Sequence, residues 1–381
     1  MGEAQELQLQ IMVQEHKEAK ATEHTKDVNQ SLLPRPRNCM WWLQMALYTL
    51  FILFGQSVAT LLGRLYFNNG GKSKWMATLV QLVGFPILIP YYCISSHKHP
   101  TTSRIGSKPP SALKLTSVYV SLGLLVAVHC YFYSVGLQYL PVSTYSLLCA
   151  SALAFNAFFS YFLNAQKFTA FIINSLVLLT ISSILLAFQS DSAGSNGESK
   201  AKYAIGFICT ILASAGTGLG LSLTQLCFQK VLKRETFSVV MELIIYQSTV
   251  PVCAVLVGLF ASGEWNGLNR EMDEFKTGKV SYLMILIWTA ISWQVFMVGI
   301  VGLIFELSSL FSNAISVFGL PIVPVLAIIF FHEKMDGIKG ISMVLAIWGF
   351  VSYVYQQYLD HQETVKNKNE VSEASASDRS I

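Results

Sequence analysis

Charge is what this sequence has least of. Only 13% of its 381 residues are Asp, Glu, Lys or Arg, against about 25% in an ordinary soluble domain. Nineteen of the 48 charged residues fall in the two tails, 11 in residues 1–40 and 8 in 360–381. From Val118 to Gln189 the only formal charge is Lys167. A stretch of that kind would leave too much apolar surface in water, so a soluble multidomain protein is excluded. The net charge of +4 is small and no basic run interleaves with aromatics, which argues against nucleic acid as a partner. The seven cysteines have neither metal-ligand spacing nor the pattern of a disulfide framework. No apolar segment precedes a small-residue cleavage site in residues 1–30, so the first membrane helix is expected to act as the insertion signal. Arginine ladders and paired intramembrane aspartates are missing, which removes a voltage sensor and an aspartyl protease. His332-Glu333-Lys334-Met335-Asp336 lacks the second histidine of a zinc protease. Neither metal nor cofactor is expected, and no enzyme activity.

What is abundant is apolar: 53% of the chain, 12% of it aromatic. A helix needs roughly 20 such residues to cross the hydrocarbon with its backbone paired internally. Ten segments qualify, near 41–66, 75–95, 114–138, 142–164, 168–189, 202–230, 237–261, 281–303, 307–331 and 338–359. With the first residue inside, Lys and Arg number 16 on the cytoplasmic side and 10 on the other. That asymmetry places both termini in the cytoplasm. Trp41, Trp42 and Trp75 sit at span ends, as interfacial anchors do.

The spans repeat. A shift of 161 lays Gly55-Gln56 over Gly216-Thr217 and Leu62-Gly63-Arg64-Leu65-Tyr66-Phe67 over Leu223-Thr224-Gln225-Leu226-Cys227-Phe228. Near 166–167, Gly136-Leu137 meets Gly302-Leu303 and Gln166-Lys167 meets Glu333-Lys334. Two five-helix halves follow, at 41–189 and 202–359, joined by a linker at 190–201 and flanked by disordered cytoplasmic tails at 1–40 and 360–381. An odd helix number inverts one half relative to the other. Inverted repeats characterise secondary transporters, with the substrate site between the halves.

Polar side chains within spans mark where that site could be. Ser214, Gly218, Ser222, Gln225 and Gln229 lie on one face of span six. Gln56, Asn156 and Gln225 are large amides in otherwise apolar helices; His129 and Tyr133 lie in span three, Trp288 and Trp293 in span eight. Two readings stand for such residues: helix–helix contacts, where small and polar groups permit close approach, or contacts to cargo. As cargo contacts, the amides would bond the edge of a flat heterocycle and the aromatic rings would stack on its face. Glu242, a turn or two inside span seven, is the candidate proton carrier, whereas Glu306 reads as a solvated charge in the link between spans eight and nine. Pro321 and Pro324 would break span nine or kink it. Lys and Arg are almost absent from the spans away from their ends. A phosphorylated cargo would need such cations, so a neutral one is expected.

Several motifs also resemble a known family. Gly55-Gln56-Ser57-Val58-Ala59-Thr60-Leu61-Leu62-Gly63-Arg64-Leu65-Tyr66-Phe67, with Gly70-Gly71 and Trp75, is similar to the first-helix signature of plant purine permeases. Ser262-Gly263-Glu264-Trp265, Ser308-Ser309-Leu310-Phe311-Ser312-Asn313 and Gly319-Leu320-Pro321-Ile322-Val323-Pro324 extend the resemblance over roughly residues 40–360. It implies the drug/metabolite transporter fold, an all-α integral membrane protein of ten transmembrane helices in two inverted five-helix repeats. It further implies proton-coupled uptake of purine bases and derivatives such as adenine and cytokinins, a plant source, and the plasma membrane as location. The expected partners are a purine-like small molecule, protons and the lipid bilayer; the sequence leaves the oligomeric state open. The rival readings are an exchanger of nucleotide sugars or organic phosphates and a receptor that binds the same ligand without moving it.

Overall fold

The protein was analysed as a computed structural model. It describes residues 39–90, 112–164, 169–188, 197–232, 237–320, 322–332, 336–349, 351, 352, 355, 356 and 359. The tail segments 1–38 and 360–381, and most of the linker at 190–201, lie outside the described residues.

Every element among the described residues is helical. The first half of the chain holds α1 (Cys39–Asn68), α2 (Lys74–Leu82), α3 (Ala112–Tyr139), α4 (Val142–Cys149), α5 (Ala152–Asn164) and α6 (Ala170–Phe188). The second half holds α7 (Gly197–Leu226), α8 (Phe237–Ala261), the short α9 (Leu268–Asp273), α10 (Lys279–Glu306), α11 (Ser309–Gly319), α12 (Ile322–Phe331) and α13 (Gly337–Gly349). Seven spans among the described residues are long and apolar enough to cross a bilayer; α4 with α5 and α11 with α12 each count as one of them. Further apolar helices of 10–17 residues run over Lys74–Leu88 and Gly337–Gly349. The outward faces are apolar: Phe54, Ile208, Val257, Ile329 and Trp348 are all more than half exposed, which suits hydrocarbon and not water.

Leu47–Ile381 forms one packing unit; Cys39–Ala46, the leading end of α1, lies outside it and carries Trp41 and Trp42 edge to face at 5.0 Å. Within the larger unit α3 packs along α7, α5 along α7, and α8 along α3. Lipid gives helices no hydrophobic reason to associate, so contacts rely on close approach at small residues. A Cβ on Gly218 of α7 would lie 2.6 Å from the backbone nitrogen of Asn156 on α5. A Cβ on Gly55 of α1 would lie 2.7 Å from the Ser292 carbonyl oxygen on α10.

Two spans are broken. Ala150 and Ser151 interrupt the fourth, between α4 and α5; the ninth is interrupted at Leu320, between α11 and α12. The second break falls where the proline pair suggested it, with Pro321 outside the described residues and Pro324 buried in the first turn of α12. The first break has no proline, and the sequence did not mark it. Glu306 is also placed differently: it is the last residue of α10, half-buried and not in a solvated link.

On the side of the α1–α2 and α8–α10 links, family-signature residues form a clasp. Glu271 of α9 is 7% exposed. Its carboxylate accepts hydrogen bonds from the Tyr66 hydroxyl, from the Tyr282 hydroxyl at 3.2 Å, and from the backbone N–H groups of Lys72 at 2.9 Å and Ser73 at 3.1 Å. Four donors give this buried charge the pairing it needs. Glu264 accepts from the Ser73 hydroxyl at 2.6 Å and the Trp75 N–H at 3.3 Å. It thereby places a carboxylate at the N-terminus of α2, where the helix dipole favours it. Gly263, at φ +73°, makes the left-handed turn that delivers Glu264. Arg64 donates to the carbonyls of Leu137 at 2.8 Å and Leu140 at 2.9 Å, at the C-terminal end of α3. Trp75 is half-buried rather than purely interfacial, its ring 4.4 Å from that of Tyr131.

Two stability predictions follow from these contacts. Gly218→Ala forces a methyl into backbone and should cost about 1–3 kcal/mol, seen as a lower melting temperature in detergent. Gly340→Ala, with nothing within 4 Å of the added carbon, should melt at or above the parent. Glu271→Ala removes the shared acceptor of four donors, the Ser73 N–H and Tyr282 hydroxyl among the buried ones, and should cost on the order of 3 kcal/mol, with Glu271→Gln intermediate because one acceptor oxygen remains.

Candidate functional site

A central cavity of about 140 Å³ lies between the two halves of the chain. Residues of α1, α2, α3, α4, α5, α7, α8, α10 and α11 line it. No Asp, Glu, Lys or Arg is among the described lining residues. Its walls are apolar side chains with a set of neutral polar groups: the amides Gln56, Gln81, Gln247, Gln294 and Asn313, the hydroxyls of residues such as Thr60 and Ser316, and His129. Tyr133, Tyr145 and Trp293 supply aromatic surface. Both span breaks adjoin it, since Cys149 and Ala152 flank the first and Leu320 stands at the second.

Most of the polar wall is tied to protein. Gln56 Oε1 accepts from the Ser316 hydroxyl at 2.7 Å, linking α1 to α11. Gln81 Nε2 donates to the Ser134 hydroxyl at 2.8 Å. Asn313 Nδ2 donates to the Ala152 carbonyl at 3.1 Å and so serves a backbone group at the break between α4 and α5. The Thr217 hydroxyl donates to the Tyr133 hydroxyl at 3.1 Å, and His129 meets the Tyr133 ring edge on with centroids 6.2 Å apart. Gln247 Oε1 and Gln294 Nε2 are buried without a partner.

Of the seven residues singled out as cargo contacts, Gln56, His129, Tyr133 and Trp293 line this cavity. Asn156, Gln225 and Trp288 do not. Asn156 is fully buried in a polar knot: its Oδ1 accepts from Ser222 at 2.8 Å and Ser160 at 3.3 Å, and its Nδ2 donates to the Ser309 carbonyl at 3.1 Å. Gln225 Oε1 accepts from the Ser309 N–H at 3.0 Å and hydroxyl at 2.5 Å. The knot ties α5 and α7 to the first residue of α11, just past the end of α10. Both amide atoms of Asn156 and the oxygen of Gln225 are bonded by serines, as in a helix–helix contact.

Trp288 is 55% exposed and lies in a lateral apolar groove with Phe54, Val58 and Met284. The reason is rotational. Five residues separate it from Trp293, about 140° round a helix of 3.6 residues per turn, so the two rings cannot share a cavity. Glu242 lies within α8, but its side chain is outside the described residues. Its neighbour Tyr246 is half exposed and stacks on Tyr119 at 5.2 Å, 8° from parallel.

Gln81, Gln247, Gln294 and Asn313 are the lining amides that span-by-span inspection did not single out as cargo contacts. The signal was present, since each is an amide well inside an apolar helix. Gln247 and Gln294 each stand alone on their helix faces, however, without the four-residue stripe that drew attention to span six.

A family model described as purine nucleobase transmembrane transport matches residues 43–363. Curated relatives from Arabidopsis thaliana match nearly end to end. "Probable purine permease 10" is 60% identical over 94% of this chain and 93% of its own. "Purine permease 21" is 57% identical over 98% and 96%, and "Probable purine permease 8" is 56% identical over 89% and 86%. These relatives are transporters rather than enzymes, as their names state. With most of its length matched by that family model and its apolar helices long enough to span a bilayer, this chain is a multi-pass membrane protein that belongs to the purine nucleobase transmembrane transport family.

Proposed function

We propose that the protein carries purine bases and their derivatives, adenine and cytokinins among them, into the cytoplasm together with protons, by alternating access. The observation that carries the reading is the charge-free cavity of about 140 Å³ walled by amides and aromatic rings. A cavity of about 150 Å³ is known to admit a benzene ring, so the space suits a flat ring system better than a nucleotide sugar. A phosphate would also demand cationic partners, and the described lining holds none. Both points weigh against the exchanger of organic phosphates.

Alternating access draws support from the arrangement of the broken spans. α4 packs on α12 and α5 on α11, so the first piece of span four meets the second piece of span nine, and the converse. That is the antiparallel pairing expected of equivalent elements in two inverted five-helix repeats. α2 packs on α10 as α8 packs on α3, which is the same relation seen from each half. Discontinuous helices beside a midplane cavity are a recurrent transporter device. Ten spans with both termini in the cytoplasm, at the plasma membrane, complete the reading.

Gln56, His129, Tyr133 and Trp293 form part of the shell around the base, Tyr133 and Trp293 offering ring faces. Asn156, Gln225 and Trp288 act outside it. Glu242, the carboxylate inside α8, is the proton carrier, since a carboxylate within a span is costly unless it has a function.

The test is uptake of labelled adenine and a cytokinin by transport-deficient cells, with and without a proton uncoupler. Concentrative uptake abolished by the uncoupler is the expected result; accumulation that ignores it removes proton coupling. Glu242→Gln should lose concentrative uptake by at least tenfold while retaining exchange of labelled for unlabelled adenine, and full uptake by this variant would remove its assigned role. Saturable binding without flux in proteoliposomes would make the protein a receptor.

A further inference from the structure

We infer that Gln247 of α8 and Gln294 of α10 are the pair that reads the hydrogen-bonding edge of the cargo and sets its selectivity, an inference that rests on the purine reading above. Five amides line the cavity, and three of them are held by protein partners: Gln56 by Ser316, Gln81 by Ser134, Asn313 by the Ala152 carbonyl. The other two are treated differently. Gln247 and Gln294 are each only 5% exposed, yet Gln247 Oε1 and Gln294 Nε2 have no hydrogen-bond partner. A buried amide atom left unpaired is costly, and such groups in folded proteins call for an explanation. Both border the same cavity, from two different helices. A ligand in the cavity supplies what the protein withholds.

The free atoms define the ligand's chemistry. One is an acceptor and the other a donor, and each amide can turn end for end to exchange them. The matching cargo is a neutral heterocycle carrying both an N–H and a ring-nitrogen acceptor. The amino and ring-nitrogen edge of an adenine-like base has this pattern and is bonded by glutamine in the same way where proteins read DNA. A cargo that lacks either group leaves one amide unpaired and is rejected more strongly than lost contact alone would cause.

The experiment compares the parent with Gln247→Leu and Gln294→Leu, which keep side-chain bulk and remove the polar atoms. Half-saturating concentrations for uptake are measured with adenine, with purine, which lacks the amino group, and with 7-deazaadenine, which lacks one ring acceptor. In the parent, each analogue should need at least about tenfold more ligand than adenine if the edge it alters is read. Each Leu variant should weaken adenine by about tenfold or more, and at least one analogue should then lose its disadvantage, its ratio to adenine falling towards one. Equal weakening of all three ligands, or unchanged ratios in both variants, overturns the assignment.

Melting of purified protein without ligand provides the second readout. Replacing an unpaired buried amide by an apolar side chain should leave the melting temperature unchanged or raise it, while the upward shift that adenine gives the parent is lost. A lower ligand-free melting temperature in both variants means the amides are bonded within the protein, and the inference fails. Absence of adenine uptake by the parent would instead overturn the purine reading, and the ligand-free melting order would still decide whether the amides are unpaired.

Discussion

In hydrocarbon a polar group has no water to fall back on, so each one must find its partner inside the protein. The architecture follows from that constraint. It makes the described chain wholly helical, because a helix pairs its own backbone. It ties polar side chains inside spans to neighbouring helices, as the Asn313 amide of α11 is tied to the Ala152 carbonyl of α5. It gathers Asn156, Ser160, Ser222, Gln225 and Ser309 into one knot in place of five scattered liabilities. And it makes the two amides without partners, Gln247 and Gln294, stand out against the rest of the wall.

The same constraint limits what the sequence alone could reveal. Several span positions were legible to within a few residues, since apolar runs and polar links are a one-dimensional signal: 41–66 is Cys39–Asn68, 237–261 is Phe237–Ala261 and 281–303 is Lys279–Glu306, while 75–95 and 338–359 are matched only in part among the described residues. The break in the fourth span was not, because Ala150 and Ser151 are ordinary helical residues and only tertiary packing interrupts the helix there. Polar residues inside spans were found readily, but their partners were not. Asn156 and Gln56 look alike along the chain. One is consumed by serines contributed by α5, α7 and α11, while the other keeps a place on the cavity wall, and that difference depends on residues 66 to 260 positions away. Helical geometry could have settled Trp288 without coordinates, because its angular distance from Trp293 is fixed by the helix itself.

Family-signature residues divide between two tasks. Gly70, Gly71 and Glu264 have no contact with the cavity; they lie in the clasp that Ser73 and Glu271 complete, which holds the α8–α10 link onto the α1–α2 link through a buried carboxylate and a capped helix N-terminus. Gly71 illustrates the tightness, since a Cβ there would sit 2.6 Å from the Tyr66 ring. Gln56 and Asn313, from the same set of motifs, lie in the cavity wall instead, where Gln56 is bonded by Ser316. A motif match therefore locates the fold's fasteners as well as its site, and only the hydrogen-bond partners separate the two.

Alternating access, as proposed above, requires a change of shape, which bears on where the polar bonds lie. Ser309 is the first residue of α11, and its N–H, hydroxyl and carbonyl all bond to α5 or α7. Gln56 and Ser316 join α1 to α11 across the cavity. Sliding apolar side chains against lipid costs little because both sides are equally greasy. Separating hydrogen-bonded amides and hydroxyls exposes groups that must be met by water or by new partners. Movement of one half against the other is thus restrained where these bonds cross between halves. Opening the cavity also admits the water that can take their place, so loss of the bonds and hydration of the site belong to one event.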